Sequence, residues 1–232
     1  MDFKDIRVPV WVMIVAAALL ATIVFGFWYW FMDEKSTKMV GFVGGMFSGL
    51  AVFIITYATV IGPSLKLERY MRMGVVDLLD NRHDRDYYEK LTAKARYSVR
   101  VMGVSCSRFV NDFLDPDADK KVLFDQLQRH AHLKVELLVP MDKHLETNTR
   151  AKTKALSEKL AQIEALLPGR VLLRRFDSKA HHSFVIVDDD LVAGPVFEGD
   201  KSRHAPAVHV KMTTTFAMKY RDFFEQQWAK SV

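Results

Sequence analysis

The sequence has very little cysteine, since Cys106 is the single one among 232 residues. One thiol can form neither an intrachain disulfide nor a cysteine-rich zinc site, and a reducing compartment fits this content. The chain also lacks a glycine-rich phosphate loop, a paired-histidine metal motif and a Ser-His-Asp order of residues. We therefore expect no metal and no cofactor.

Apolar residues make up 50% of the chain but are unevenly distributed. Residues 8–32 form an unbroken apolar run, and residues 39–62 form nearly another, with the polar residues 33–38 between them. Each run is long enough, at ~1.5 Å per helical residue, to cross a hydrocarbon core of ~30 Å. The two runs predict a hairpin of transmembrane helices.

Basic residues flank this predicted hairpin unequally. They are more numerous on the two terminal flanks than in the turn: Lys4, Arg7, Lys66, Arg69 and Arg72, against Lys35 and Lys38. This distribution predicts an integral protein of the inner membrane with two spans, and with the N- and C-termini in the cytoplasm. The net charge of +5 fits membrane lipid headgroups as well as nucleic acid.

From residue 84 onward the apolar pattern alternates between helical and strand periods. The pattern predicts helices at 86–96, 107–114, 119–130, 142–167 and 215–230, and strands at 98–104, 133–139, 171–176, 181–188, 191–197 and 207–213. Such an order implies a mixed sheet with helices on both faces. We predict an α/β protein with a membrane hairpin at 1–62, a juxtamembrane linker at 63–83 and an α/β domain at 84–232.

Residues 180–194 carry the candidate chemistry. The apolar stretch 184–187 is too short for a membrane span and too rich in β-branched residues for a helix, which predicts a buried strand. Alternation along this strand places His181 and Ser183 on one face, and Asp188 ends it in a polar turn. A histidine at the start of a strand, an acidic residue at its end and a glycine in the strand that returns are typical of a functional site.

At these residues the sequence resembles the phospholipase D-like superfamily, whose motif is His-x-Lys, four further residues and Asp. His181 stands at the histidine position, Ser183 at the lysine position and Asp188 at the acid position. Gly194 lies one residue before the family's glycine, and Pro195 follows where Ser or Thr is usual. The order of elements also resembles one half of that fold, and the chain has no internal repeat.

The resemblance implies a phosphodiesterase acting on phospholipid or nucleic acid. In the family a histidine attacks phosphorus, which makes His181 the candidate nucleophile and Asp188 the group that orients it. A second motif's histidine protonates the leaving group, so that one motif per chain implies a homodimer or higher homo-oligomer. The alternative is that His181 is a structural residue at the end of a strand, whose imidazole hydrogen-bonds to the neighbouring loop.

Ser183 supplies only a hydroxyl dipole where the family's lysine supplies a full positive charge. Either another cation replaces that charge or the site no longer turns over. Lys211 is a candidate because His209 and Lys211 repeat the His-x-Lys spacing on one strand, although Phe216 stands where the acid would fall. Lys179 is another candidate.

Two further groups are candidates for binding phosphate. Ser105 follows the apolar end of the first predicted strand, and the alternative is an ordinary loop serine. The predicted long helix carries a basic run, which faces either a solvated surface or the phosphates of nucleic acid or lipid: Arg150, Lys152, Lys154 and Lys159.

Two functions stay open on these observations. The first is a membrane-anchored phosphodiesterase with His181 as nucleophile in a dimeric site. The second is a catalytically inactive phospholipase D-like module that binds a phosphate-bearing ligand or a partner and acts through the hairpin as a membrane effector. The missing lysine favours the second function, and the presence of His181 and Asp188 favours the first.

Overall fold

The structure is a computed structural model that describes residues 10–31, 37–57, 59, 62–82, 84–197 and 204–231. It divides into two compact units, Met1–Tyr70 and Met71–Val232. Lys4, Arg7 and Lys35, which entered the predicted membrane topology, lie outside the described residues, as does most of the predicted polar loop at 198–206.

The first unit is helical. It contains α1 (Val10–Trp30) and α2 (Thr37–Thr56), and α3 (Gly62–Arg72) continues across the division between the units. The two longer helices pack against each other, since the positions of a Cβ on Gly26 and Gly44 lie 3.0 Å from the ring of Phe47 and 3.3 Å from the ring of Tyr29.

The predicted transmembrane hairpin is wrong. None of the helices in the described part of the chain combines the length and the apolar character that crossing a membrane requires. The predicted localisation, an integral membrane protein with two spans and cytoplasmic termini, is corrected with it. The prediction took its length from the apolar runs in the sequence, at 8–32 and 39–62, whereas α1 and α2 contain 21 and 20 residues.

A mixed sheet of seven strands forms the centre of the second unit, in the order β1-β7-β6-β5-β2-β3-β4. The strands are β1 (Val75–Leu79), β2 (Ser98–Met102), β3 (Lys134–Pro140), β4 (Val171–Phe176), β5 (His182–Val187), β6 (Asp190–Pro195) and β7 (Ala207–Lys211). Neighbours among β2, β3 and β4 are parallel, and the other pairs are antiparallel. The chain therefore has the mixed α/β sheet that its alternating pattern predicts.

Helices cover both faces of this sheet. They are α4 (Arg85–Thr92), α5 (Ser107–Phe113), α6 (Val122–Arg129), α7 (Thr147–Leu166) and α8 (Thr215–Lys230). The first four bury one face, where Val101 and Val185 lie in their shared core. Helix α8 buries the other, where Phe184 packs with Phe224. We call the first the four-helix face.

Strand β1 lies within the segment 63–83, which was predicted as a juxtamembrane linker. Helix α3 ends at Arg72, and Gly74 follows with φ +75°, a conformation that glycine adopts without strain. The chain then pairs with β7, where Val75 lies opposite Val210. The linker therefore contributes an edge strand to the sheet.

The strand register defines two ends of the sheet that matter for the site. Met102 pairs with Phe184, and Val99 pairs with Val187, so β5 begins where β2 ends. We call the end of the sheet at Met102 and His182 the upper end, and the end at Ser98 and Val187 the lower end. The parallel strands β3 and β4 also finish at the upper end.

Candidate functional site

A cleft of about 150 Å³ opens on the four-helix face at the upper end of the sheet. Its floor comes from β2, the residue that follows β2, and β5: Val101, Gly103, Ser183 and Val185. Its walls carry three arginines, Arg82, Arg85 and Arg108, with Asp112 as the one acid of the lining. We call this the arginine cleft; its lining has a net charge of +2.

Ser183, at the position of the motif's lysine, lies on the floor of the cleft. A Cβ on the facing Gly103 would lie 3.1 Å from Ser183 Oγ, so a glycine is the residue that leaves this hydroxyl uncovered. Ser105 also lines the cleft, and its hydroxyl lies 3.0 Å from that of Ser107. The structure therefore brings the predicted Ser105 and Ser183 together.

Arg82 holds a positive charge against this floor. Its Nη1 donates to the carbonyl oxygens of Ser183, at 3.0 Å, and Gly194, at 3.4 Å, and its Nη2 donates to the carbonyl of Pro195. Burial lowers the pKa of the Arg82 guanidinium, but arginine stays protonated in proteins. A cation thus lies beside Ser183, the residue that the predicted motif aligns with its lysine.

Packing explains why position 194, near the family's glycine position, is a glycine. It pairs with Ser183 across β5 and β6, and a Cβ on it would collide with the carbonyl oxygen of Pro206. Only a glycine lets the segment that enters β7 approach this closely. The same segment accepts a hydrogen bond from the backbone N–H of Arg82, at the carbonyl of Ala205 and 3.2 Å.

Arg85 and Arg108 extend the positive charge to the cleft walls. Arg85 is the first residue of α4, which Asp84 caps by accepting from the backbone N–H of Tyr87 at 2.9 Å. Arg108 lies in the first turn of α5 and pairs with Asp112 at 3.3 Å. Two separate helices, α4 and α5, therefore place cations in the walls of the arginine cleft.

Cys106 lines the same cleft. Burial raises the pKa of its thiol to about 12, so the thiol is protonated at neutral pH. Its Sγ lies 4.0 Å from the carbonyl oxygen of Val101 and 3.9 Å from that of Leu138. A protonated thiol is a poor nucleophile.

His181 is exposed at the upper end, directly before β5. Its carbonyl accepts from the backbone N–H of Val196 at 2.9 Å, but its side chain is not part of the cleft lining. The next residue, His182, turns to the α8 face, where its Nδ1 lies 3.2 Å from Tyr220 Oη. The role of His181 as nucleophile stays a prediction.

Asp188 lies at the lower end of β5. Its two oxygens accept from the backbone N–H groups of Arg96, Tyr97 and Ser98 at 2.8, 3.0 and 2.8 Å. Seven residues of extended chain, about 3.3 Å each, separate it from His181. The structure does not bring the two together, and the contacts of Asp188 are those of an anchor for the start of β2.

His209 and Lys211 also lie toward the lower end, where Lys211 pairs with Asp190 in the register of β6 and β7. Lys211 Nζ is 2.6 Å from Asp190 Oδ1, and His209 Nε2 is 2.7 Å from the same oxygen. The Nδ1 of His209 lies 2.5 Å from Tyr87 Oη. These two predicted phosphate ligands therefore contact a carboxylate, and the structure does not place them beside Ser183.

The environment of Asp190 gives a prediction for pH. Burial alone would raise its pKa, but hydrogen bonds from Lys211 and His209 outweigh burial and lower it below the ordinary 3.8. A carboxylate with a lowered pKa stabilises the fold above its ordinary pKa, and this stabilisation is lost as pH falls through the folded-state value. We expect Asp190→Asn to destabilise the protein near pH 7, with the difference from wild type shrinking below about pH 4.

Urea denaturation of both proteins across this pH range measures the effect. Asp189→Asn is the matched control, because Asp189 is the exposed neighbour and undergoes the same change of charge. A destabilisation by Asp190→Asn that stays constant from neutral to acid pH would contradict the assignment.

Neither protein-family models nor curated proteins match this sequence. Three solved structures with a similar backbone have low sequence identity. TrmBL2, a chromatin protein from an archaeon, has 13% identity and a TM-score of 0.47, over 86% of this chain and 70% of its own. Phosphatidylserine synthase from Haemophilus influenzae has 12% identity and a TM-score of 0.44, over 64% of this chain and 35% of its own.

The third is NucT from Helicobacter pylori, with 11% identity and a TM-score of 0.42, over 67% of this chain and 96% of its own. Similarity at these values identifies neither a ligand nor a reaction.

Proposed function

We propose that this chain is a phospholipase D-like module that binds a phosphate-bearing ligand in the arginine cleft and does not hydrolyse it. The observation that carries the proposal is the guanidinium of Arg82 against the carbonyl of Ser183, at the position of the motif's lysine. The positive charge of the site is kept by a residue from outside the motif. The groups that would use this charge for catalysis are not assembled around it.

Phosphate is the ligand that suits this lining. Guanidinium groups present planar pairs of N–H donors that match phosphate oxygens, and hydrogen bonds between charged partners are stronger than neutral ones. Arg85 and Arg108 supply such groups from two walls, and Ser105 and Ser183 add hydroxyls near the floor. The net positive lining attracts an anion before any contact forms.

Hydrolysis requires more than this charge. A covalent mechanism needs its nucleophile, its orienting acid and its cation within hydrogen-bond reach of one another. Asp188 is bound to three backbone amides at the lower end, and the donors of Arg82 are directed at three carbonyls. A single chain therefore supports binding and does not support turnover.

A phosphodiesterase is the second candidate function, and the position of His181 favours it. The imidazole is exposed at the upper end, and alternation puts it on the face of Ser183. Two chains that met at their upper ends would combine two such histidines in a homodimer. This reading requires the second chain, because one chain supplies one histidine of this motif.

The binding test uses inorganic phosphate and the diester bis(p-nitrophenyl) phosphate with the full chain. We expect the double variant Arg85→Gln/Arg108→Gln to weaken binding about tenfold, which corresponds to about 1.4 kcal/mol. Arg129→Gln is a control, since Arg129 is exposed on α6 outside the cleft lining. If this control weakened binding as much as the double variant does, net charge and not the cleft would set the affinity.

The same diester reports turnover through release of p-nitrophenol. We expect no release by the wild type under conditions in which the diester is bound. A release that disappears in His181→Ala and persists in Arg129→Gln would replace the binding module with the phosphodiesterase.

A further inference from the structure

We infer that the arginine cleft takes a phosphomonoester of an aromatic ring, with the phosphate at the arginines and the ring against the apolar part of the lining. The inference rests on the proposed function, because it names the class of ligand that the cleft binds. Inorganic phosphate would contact the polar groups of the cleft alone, whereas an aryl phosphate contacts both parts of its lining.

The apolar part of the described lining is extensive. Aromatic side chains and valines share the cleft with the arginines and serines: Tyr88, Phe109, Phe113, Val101, Val104 and Val185. Small-molecule sites combine an apolar, aromatic lining with a few polar groups that orient the ligand. The arginine cleft has this combination, which a bare anion would leave half unused.

Helix α5 places a cation and aromatic rings next to each other. Arg108 and Asp112, four residues apart, form one row along the helix, and Phe109 and Phe113 form the adjacent row. The ring centroids of Phe109 and Phe113 are 5.3 Å apart, in an edge-to-face arrangement. Residues of both rows line the cleft, so a ligand at Arg108 lies beside Phe109.

Helix α4 repeats this arrangement on a second wall. Arg85 and Tyr88 are three residues apart, which puts them on one side of the helix, and both line the cleft. Burial raises the pKa of the Tyr88 phenol, so this group is uncharged at neutral pH and does not repel an anion. Each of the two walls therefore carries a cation and an aromatic ring side by side.

The depth of these side chains orients the ligand. Arg85 and Arg108 are exposed, whereas Tyr88 and Phe113 are only 8% and 4% exposed. The exposed guanidinium groups are accessible at the entrance, and the buried rings are accessible only from within the recess. A ligand with a charged end and an apolar end therefore enters with its ring first.

The volume of the cleft limits the size of the apolar end. A cavity of about 150 Å³ accommodates benzene, and the arginine cleft has about 150 Å³. A single ring therefore fits inside, with its phosphate at the exposed arginines. The acyl chains of a phospholipid are far larger than this recess.

The charge of the lining distinguishes a monoester from a diester. Arg82, Arg85, Arg108 and Asp112 together give the cleft its net charge of +2. A phosphomonoester carries about −1.5 to −2 at pH 7, because its second pKa is about 6, whereas a diester carries a single negative charge. The monoester therefore balances the lining more closely, and its oxygens accept stronger hydrogen bonds from guanidinium groups.

The test measures binding of phenyl phosphate, methyl phenyl phosphate and inorganic phosphate to the full chain by calorimetry. We expect phenyl phosphate to bind about tenfold more tightly than inorganic phosphate, because the ring adds apolar and aromatic contacts. Methyl phenyl phosphate keeps the ring and has one charge fewer, so it should bind about tenfold more weakly than phenyl phosphate.

Two results would overturn the inference while the proposed function stands. The first is equal affinity for phenyl phosphate and inorganic phosphate, and the second is a diester that binds as tightly as the monoester. A failure of the proposed function is distinct, because the wild type would then bind none of the three compounds.

Substitution of Phe109 tests the contact with the ring. Phe109 is half-buried, and we expect Phe109→Ala to lower the affinity for phenyl phosphate about tenfold and to leave that for inorganic phosphate unchanged. Phe109→Leu, which keeps an apolar side chain against the core, should show a smaller loss of the same kind. Phe223→Ala is the matched control, since it removes an exposed phenyl ring from α8, outside the cleft lining. Equal weakening of both ligands in the two Phe109 variants would show that the ring supports the cleft without contacting the ligand, which contradicts the inference.

Two sources present this chemistry, a free aryl phosphate and the phosphorylated side chain of a tyrosine. Competition by a short phosphotyrosine peptide that is stronger than competition by phenyl phosphate indicates the protein source, and weaker competition indicates the free compound; both results support an aromatic monoester. Thymidine monophosphate carries a sugar between its phosphate and its ring. Tighter binding of this nucleotide than of phenyl phosphate would overturn the inference.

Discussion

Replacing Arg82 with methionine is expected to lower the free energy of unfolding of the second unit by about 2–4 kcal/mol. The guanidinium donates to the carbonyls of Ser183, Gly194 and Pro195, and a hydrogen bond with a charged donor contributes about 1.5–3 kcal/mol. The total stays below the sum of three such bonds for two reasons. Arg82 is only partly buried, and its Nε is buried without a hydrogen-bond partner among the described residues, a cost that methionine removes.

Urea denaturation of the full chain measures this loss. Arg85→Met is the matched control, because it removes the same charge from the same cleft at an exposed position, and we expect a change within about 0.5 kcal/mol. Arg82→Lys should be intermediate, because an ammonium is a point charge and cannot span three carbonyls as a planar guanidinium does. Equal losses in Arg82→Met and Arg85→Met would show that the carbonyl contacts contribute nothing.

Asp188→Ala should destabilise the fold by about 3 kcal/mol, whatever the protein binds. Three backbone N–H groups, from Arg96, Tyr97 and Ser98, lose a charged acceptor. Asp188 also has φ +48°, a left-handed conformation that strains alanine more than aspartate or asparagine. The expected loss therefore combines hydrogen bonding with backbone strain.

Two further variants separate these contributions. Asp188→Gly removes the acceptor but relieves the strain, so it should be about 1 kcal/mol less damaging than Asp188→Ala. Asp188→Asn keeps one amide oxygen and tolerates the left-handed conformation, so it should be the mildest of the three. Thermal denaturation ranks them. A wild-type melting temperature in Asp188→Asn, together with a loss of diester turnover, would restore the catalytic role that the sequence motif predicted.

Elements with strong local signals were predicted well. The strand at 171–176 and the helix at 215–230 were predicted with the same bounds that β4 and α8 have. The first residue of α8 follows Thr214, whose side chain accepts from the backbone N–H of Ala217. Helix α6 was predicted from residue 119 and begins at Val122, and the preceding Lys121 makes no side-chain cap hydrogen bond.

Elements that depend on distant partners were missed. Strand β1 was predicted as part of a linker, since its residues carry a weak local pattern. Its structure comes from pairing with β7, where Val75 meets Val210 and Leu79 meets Ala207. The strand propensity of a segment depends on its own residue types and carries no information about the strand with which it pairs.

The site shows the same division between local and distant information. His181 and Ser183 could be placed together because alternation along one strand is a local rule. Arg82 was missed because the carbonyl it meets is 101 residues away. Asp188 was given a catalytic role because a motif states residue types, whereas its actual partners begin about 90 residues earlier, at Arg96.

Arg82 follows Leu79, the last residue of β1, by only three residues. Among the described strands, β1 is the last of the sheet on its side and pairs with β7. Arg82 is nevertheless bound to the interior of the sheet, because its guanidinium donates to three carbonyls of β5 and β6 and its backbone N–H donates to the carbonyl of Ala205 at 3.2 Å. We therefore expect that fraying of the edge strand β1 leaves the positive charge of the cleft in place, so that the cleft outlasts the margin of the sheet next to it.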